Sequence, residues 1–225
     1  RDLVSFAGVD PQRISVIHNG ADLGRFSPQN RAAAAPQLQE RFGLTGPYIL
    51  YIARLEHPGK NHVGLIEAFA RLKREQQIPH RLVLPGGEWN GAEMIYQAAR
   101  ESGIEDQIDF LGFVPNDILP ALYAGADLFV FPSLFEGFGI PLLEAMASGT
   151  PVCAADVSSI PEVVGDAGLL FDPTDTSQIA DCIARIIDDQ ALHAELAARG
   201  LQQATRFSWD SAARDILELC HEQRH

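Results

Sequence analysis

DLFVFPSLFEGFGIPLLEAMASGTPVCAAD, residues 127–156, holds the succession of elements that decides the fold. Its first run, Leu128 to Phe131, is apolar at every position, which suits a strand covered on both faces rather than on one. A glycine-rich turn follows, and GIPLLEAMASG then has the spacing of a short helix. PVCAAD reads as a second strand, again apolar throughout. Strand, helix and strand in this order form the crossover unit of a parallel α/β sheet.

The same alternation extends both ways. Upstream lie YILYIA, HVGLIEAFARLKRE, HRLVLPGG, AEMIYQAARESG, IDFLGFV and ILPALYAGA, and downstream GLLFDP and TSQIADCIARIIDD. The expectation is an α/β, doubly wound, Rossmann-like domain with a mainly parallel sheet of about six strands. ALHAELAARGLQQATRF and SWDSAARDILELCHEQR are helical by period, with Ser208 as an N-cap and a terminal helix expected within 205–225. Before the alternation starts, Ser15 to His18 reads as a short strand. A segment rich in Asn, Gly, Pro, Gln and Ala, running to about Pro36, reads as an exposed connection. The chain opens at Arg1 in RDLVSFAGVDP, like the tail of a helix, and is expected to be a piece of a longer protein.

Composition narrows the partners. At 225 residues and 46% hydrophobic content the chain suffices for one packed domain. A formal net charge of −13 disfavours nucleic acid, which rewards clustered Lys and Arg, so a phosphate-bearing ligand must meet a few locally placed cations. Cys153, Cys182 and Cys220 lack metal or redox spacing, and their odd number suits a reducing, cytoplasmic compartment. No apolar run approaches the roughly 20 residues that cross a bilayer, and no charged-then-apolar leader opens the chain.

In doubly wound sheets ligands sit beyond the carboxyl ends of the strands, so the loops after strands come first. After YILYIA, RLEHPGKN places Arg54 and Lys60 in one turn of a cation-poor chain, a pairing that suits a diphosphate. After DLFVFPS, LFEGFG runs directly into a helix. The amides of Phe138, Gly139 and Ile140 are expected as free donors there, with the helix dipole favouring an anion. Glu136 and Glu144 flank this turn with seven residues between them. A carboxylate beside a phosphate site suits sugar hydroxyls better than the phosphate.

These features together resemble glycosyltransferase family 4. The spacing of Glu136 and Glu144 around GFGIPLL, with Arg54 and Lys60 upstream, is similar to that family, as are VIHNGADLGRF, the run from FLGFVPND to ASGTPV, and FSWDSAARDILEL. The resemblance covers nearly the whole chain. It implies a GT-B enzyme of two facing Rossmann-like domains, of which this chain matches the second, donor-binding one, with the N-terminal acceptor-binding domain expected to lie outside it. The terminal helix of 205–225 would pack toward that domain.

The resemblance assigns Arg54, Lys60 and Glu136 to catalysis, the two cations on the donor diphosphate and Glu136 by the donor sugar. It gives the amides from Phe138 through Gly139 and Ile140 to Pro141 to the phosphate and sugar, Glu144 to the ribose hydroxyls, and Gly112, Phe113 and Val114 to the base pocket. It implies retention of anomeric configuration, a nucleotide-sugar donor, and a saccharide or lipid-linked acceptor. GDP-mannose comes first by analogy and UDP-sugars next. No cofactor and no metal are expected, since the cations and the dipole are in the protein and no D-x-D triplet occurs. Membrane association would be peripheral, through the other domain.

Plainer readings stand beside these. Glu136 could simply favour a helix start, at about 0.3–1 kcal/mol, and Arg54 or Lys60 could pair with Glu56 on the surface. Gly86 and Gly87 are turn residues as readily as cleft residues. His18, His57 and His62 show no partner in sequence and read as structural; Asn19 and Gly20 read as turn residues; Asp127 and Ser133 read as caps. A dehydrogenase is disfavoured, because G-x-G-x-x-G is missing after the first strand. A sugar-nucleotide epimerase or hydrolase of the same architecture, or a non-catalytic nucleotide-sugar-binding module, fits the same anchors.

Overall fold

The computed structural model describes residues 2–222. Six strands, β1 (Tyr48–Leu50), β2 (Arg81–Pro85), β3 (Ile108–Gly112), β4 (Leu128–Phe131), β5 (Val152–Ala155) and β6 (Gly168–Phe171), form one sheet in the order β3-β2-β1-β4-β5-β6. Every pairing is parallel. The helices are α1 (Asp2–Ser5), α2 (Arg31–Phe42), α3 (His62–Gln76), α4 (Ala92–Glu101), α5 (Leu119–Gly125), α6 (Ile140–Ala147), α7 (Ile160–Val164), α8 (Thr176–Asp188), α9 (Gln190–Ala204) and α10 (Trp209–Glu222).

The central strands β1, β4 and β5 are buried at every residue, as their unbroken apolar runs require. Phe129, Phe131 and Leu50 lie wholly inside, each burial contributing about 1.5–3 kcal/mol before entropic costs. This is the Rossmann-like, doubly wound α/β fold. Its strand order reverses between β1 and β4, and the crevice beyond their carboxyl ends is where such sheets receive ligands.

Three local expectations are corrected. Ser15 to His18 is not a strand: none of the six strands pairs with it, Val16 is 70% exposed, and the nearest bridge is an isolated one from Ala21 to Ser208. The presumed connection up to Pro36 contains the start of α2, with Pro36 inside the helix. Alanine has the best helix propensity, and Ala34 and Leu38 bury one side of α2 against Gly125, where a Cβ would stand 3.2 Å from each. Finally, the terminal helix begins at Trp209 rather than 205, and positions 223–225 lie outside the described residues. Ser208 caps it as expected, its Oγ accepting from the Ser211 amide at 3.1 Å.

The β1–β2 ladder continues past both strands into the loops. The amides of Tyr51, Ala53 and Leu55 donate to Val83, Pro85 and Gly87 carbonyls, and the Trp89 amide donates back to Leu55. Gly86 sits where the two backbones come closest: a Cβ there would stand 1.8 Å from the Ala53 oxygen, and its N–H donates to the Gly112 carbonyl at 2.8 Å. Gly86→Ala is therefore expected to lower stability by about 1–3 kcal/mol in urea unfolding. Gly87→Ala has open space around it and should stay within about 0.5 kcal/mol.

Candidate functional site

Two loops face each other across the crevice, 51–61 after β1 and 132–139 after β4. They are bound together from below. The Leu134 amide donates to the Gly59 carbonyl at 3.0 Å. The buried Tyr51 hydroxyl donates to the Lys60 carbonyl at 2.8 Å and lies 3.1 Å from Ser133 Oγ. Asn61 donates from Nδ2 to the carbonyls of Pro132 and Pro173, at 3.1 and 2.8 Å.

On this base Lys60 reaches across the crevice. Its Nζ lies 2.7 Å from Glu136 Oε1, 76 residues away in sequence, with the two side chains 21% and 14% exposed. Ser158 and Ser159 hold the loop in turn. Ser158 Oγ accepts from the Glu136 amide, while Ser159 Oγ lies within hydrogen-bond distance of the Glu136 and Phe138 carbonyls.

Just beyond Glu136 the chain turns into α6. Gly139 occupies the N-cap with φ 109, a conformation for which glycine is suited, and caps with no side chain. The amides of Phe138, Gly139 and Ile140 have no protein acceptor among the described residues. Pro141 has no N–H, so it cannot supply the donor expected of it. It occupies the first turn, where proline's fixed φ suits a helix. The unfilled donors and the positive end of the helix dipole make this turn attractive to an anion.

Arg54 takes a different course from Lys60. Its guanidinium lies 2.9 Å from Glu56 Oε2, with Cζ 4.7 Å from the centroid of the Trp89 ring, on the β2 side of the crevice. The expected Arg54–Glu56 surface pair thus exists, whereas Lys60 joins Glu136. Glu144, on α6, accepts a 2.8 Å hydrogen bond from Tyr123 on α5. Burial raises the Glu144 carboxyl above the usual carboxylate range, partly offset by the Tyr123 hydrogen bond and Arg25. At the end of β3, Gly112 and Phe113 are exposed and Val114 is buried; the Gly112 carbonyl is already occupied by Gly86.

The remaining histidines separate. His18 pairs with Glu162 at 2.6 Å and lies against Phe138. Burial pushes His62 down to about 3, so it is neutral, packed against Tyr51. Gly20 is fixed by close packing, since a Cβ there would stand 2.2 Å from the Trp209 nitrogen. Reading the sequence missed Tyr123, Ser158, Ser159, Asn61 and Trp89. Of these only Asn61, directly after Lys60 and before a helix, had a positional signal. Among the described residues no group of three or more His, Cys, Asp or Glu side chains is placed to hold a metal ion.

A doubly wound sheet whose order reverses at a crevice flanked by a lysine and an unfilled helix start belongs to the Rossmann-like class, which receives phosphate-bearing ligands at such points. More narrowly, the chain belongs to the glycosyl transferases group 1 family, whose profile matches residues 37–203. It is 41% identical over 192 residues to the O-antigen chain mannosyltransferase B of Escherichia coli, covering 85% of this chain and 50% of that protein. It is 35% identical over 228 residues to the D-inositol 3-phosphate glycosyltransferase of Corynebacterium efficiens, covering 98% and 54%. The chain thus spans about half the length of these curated relatives.

Among solved structures, the C-terminal domain of a glycosyl transferase group 1 family protein, LpcC, from Francisella tularensis superposes with a TM-score of 0.72 at 29% identity, covering 83% of this chain and 97% of that one. Anabaena HepE in complex with UDP and glucose superposes at 0.82 with 28% identity, covering 96% and 58%. The fold is that of one Rossmann-like half of a GT-B glycosyltransferase.

Two expectations follow from the geometry. Lys60→Ala leaves the mostly buried Glu136 without its partner and should cost about 1–3 kcal/mol in urea unfolding, whereas Arg54→Ala, at a side chain 56% exposed, should cost under about 1 kcal/mol. For Glu144 the folded protein holds its proton more tightly than the unfolded chain does, so stability contributed by protonation is lost as pH rises through the raised folded range. Glu144→Gln should accordingly be the more stable protein at pH 8, with the difference from wild type shrinking as pH falls toward 5.

Proposed function

We propose that this chain is the donor-binding half of a retaining glycosyltransferase that takes a nucleotide diphosphate sugar and passes the sugar to a saccharide or lipid-linked saccharide. The observation that carries the reading is the Lys60–Glu136 pair beside the unfilled amides of Phe138, Gly139 and Ile140. One cation, one helix start and one carboxylate meet where a diphosphate joined to a sugar needs all three.

On this reading the diphosphate sits over the first turn of α6, with Lys60 against it and Arg54 completing the positive side. As the bond from the anomeric carbon to the diphosphate oxygen breaks, its electron pair stays on that oxygen. Lys60, Arg54 and the amides meet the developing charge, preorganised electrostatic stabilisation that requires no divalent metal. Glu136 accepts from sugar hydroxyls, and Glu144 accepts from the ribose while Tyr123 holds it in place. The backbone of Gly112, Phe113 and Val114 lines the base.

The acceptor would come from a facing domain, toward which α10 turns exposed Trp209, Ile216 and Leu217. The reaction would take place in the cytoplasm. Mannosyltransferase-named relatives support mannose and so GDP-mannose as the first donor, and the UDP held by Anabaena HepE keeps UDP-sugars in the comparison. An epimerase or hydrolase of the same architecture would release or isomerise the nucleotide sugar without an acceptor. Transfer makes diphosphate release from the full-length enzyme acceptor-dependent.

A thermal-shift panel of GDP, UDP, ADP and their sugar conjugates should give one selective rise in melting temperature. By calorimetry, Lys60→Ala and Arg54→Ala should each weaken binding of the selected nucleotide diphosphate about tenfold or more. Glu144→Ala should weaken nucleotide binding with little further effect on turnover at saturating donor. Wild-type affinity in all three variants would overturn the assignment.

A further inference from the structure

Trp89 was singled out by no motif, and the proposed mechanism gives it no task. It nevertheless stands at the mouth of the crevice, 53% exposed, in the loop after β2. Large aromatic surface left in water at such a position calls for a physical reason. Its backbone is held firmly: the Trp89 amide donates to the Leu55 carbonyl at 3.1 Å, the Leu55 amide donates to Gly87 at 2.9 Å, and the His57 amide donates to Asn90 at 3.0 Å. The Tyr96 hydroxyl fixes the adjacent Glu88 at 3.0 Å. This zipper joins the loop carrying Trp89 to the loop carrying Arg54, and the guanidinium carbon of Arg54 lies over the indole, 4.7 Å from its centroid.

We propose that Trp89 is a positioning residue for Arg54, holding its guanidinium at the crevice mouth for the donor diphosphate. The proposal rests on the reading that Arg54 contacts that diphosphate. An exposed arginine samples many rotamers, and ordering it on binding costs up to about 2 kcal/mol. A ring beneath the guanidinium reduces that cost beforehand by a cation–π contact. The ring also consumes no conventional acceptor. Of the five guanidinium donors only the bond to Glu56 is made among the described residues, so the others remain for an anion. Glu56 is then the carboxylate that the phosphate displaces.

The test is a double-mutant cycle in the chain, reading calorimetric affinity for GDP and UDP. Trp89→Leu keeps apolar cover but lacks the π face and should weaken binding about two- to fivefold. Trp89→Phe should stay within about twofold. In an Arg54→Ala background Trp89→Leu should cause no further loss, an outcome that a merely structural tryptophan would not produce. Thermal midpoints of all variants establish that each is folded.

If Arg54→Ala weakens binding while Trp89→Leu does not, the proposal fails and the donor site stands. An equal loss from Trp89→Leu with and without Arg54 overturns it too, because the ring then touches the ligand itself. Unchanged affinity in Arg54→Ala removes the donor-site reading and the proposal with it.

Discussion

The site depends first on the hydrogen bonds that lock the β1 and β4 loops together. Strands β1 and β4 are neighbours in the sheet but separated by most of the first half of the fold, and the order of the sheet reverses between them. Without a clamp, the two loops would diverge as their helices leave on opposite faces. Asn61 prevents this with one amide shared between two carbonyls, from the loops after β4 and β6. It does so from a left-handed backbone conformation, φ 54, whose strain, on the order of 1 kcal/mol, persists only where surrounding bonds over-determine it. Tyr51 supplies the second tie. Burial pushes its phenol far above the ordinary range, so the hydroxyl keeps the proton it donates to Lys60.

On the proposed reading, the clamp explains how a strongly acidic chain can hold an anion site. With a net charge of −13, the far field repels phosphate, and attraction has to be local and shielded from water. Lys60 is placed for that, its backbone pinned by Tyr51 and its ammonium mostly withdrawn from solvent against Glu136. Pairing compensates the desolvation of both charges. A ligand that offers phosphate to the lysine and hydroxyl donors to the glutamate replaces one compensated arrangement by another, so neither charge is left bare at any stage.

The legible parts of the fold were those governed by short-range rules. Fully buried parallel strands must be apolar at each position, so β1, β4 and β5 could be read directly, and with them the order of elements. The α2 helix was hidden because Pro36 and its polar neighbours carry turn signals, while the burial of Ala34 and Leu38 that stabilises it comes from α5, about 90 residues on. Ser15 to His18 failed in the opposite direction: a β-like composition without a sheet edge to join. At the site, EGFG announced the helix start. The partners of its acids did not announce themselves: Tyr123 lies in an apolar helix, and Ser158 and Ser159 in an unremarkable turn, each brought in only by tertiary packing.

That division has a chemical counterpart. Helix amides and a clamped lysine, on the proposed reading, recognise what every nucleoside diphosphate has in common, from the part of the crevice that the Tyr51 and Asn61 bonds hold together. On the proposed reading, discrimination among bases and sugars has to arise where the ligands differ, at the outer loops after β2 and β3. Those loops hold Trp89 and Phe113 in solvent and are tied to each other through Gly86 and Gly112. Such an arrangement lets outer side chains change without disturbing the phosphate anchor, because no hydrogen bond of the Tyr51, Asn61 and Ser133 clamp passes through them. Backbone hydrogen bonds of Leu55, His57 and Trp89 join the two parts, and the Arg54 side chain crosses between them. It leaves from the clamped loop and rests on an outer one, so on the proposed reading a change at the Trp89 side chain reaches the diphosphate through Arg54.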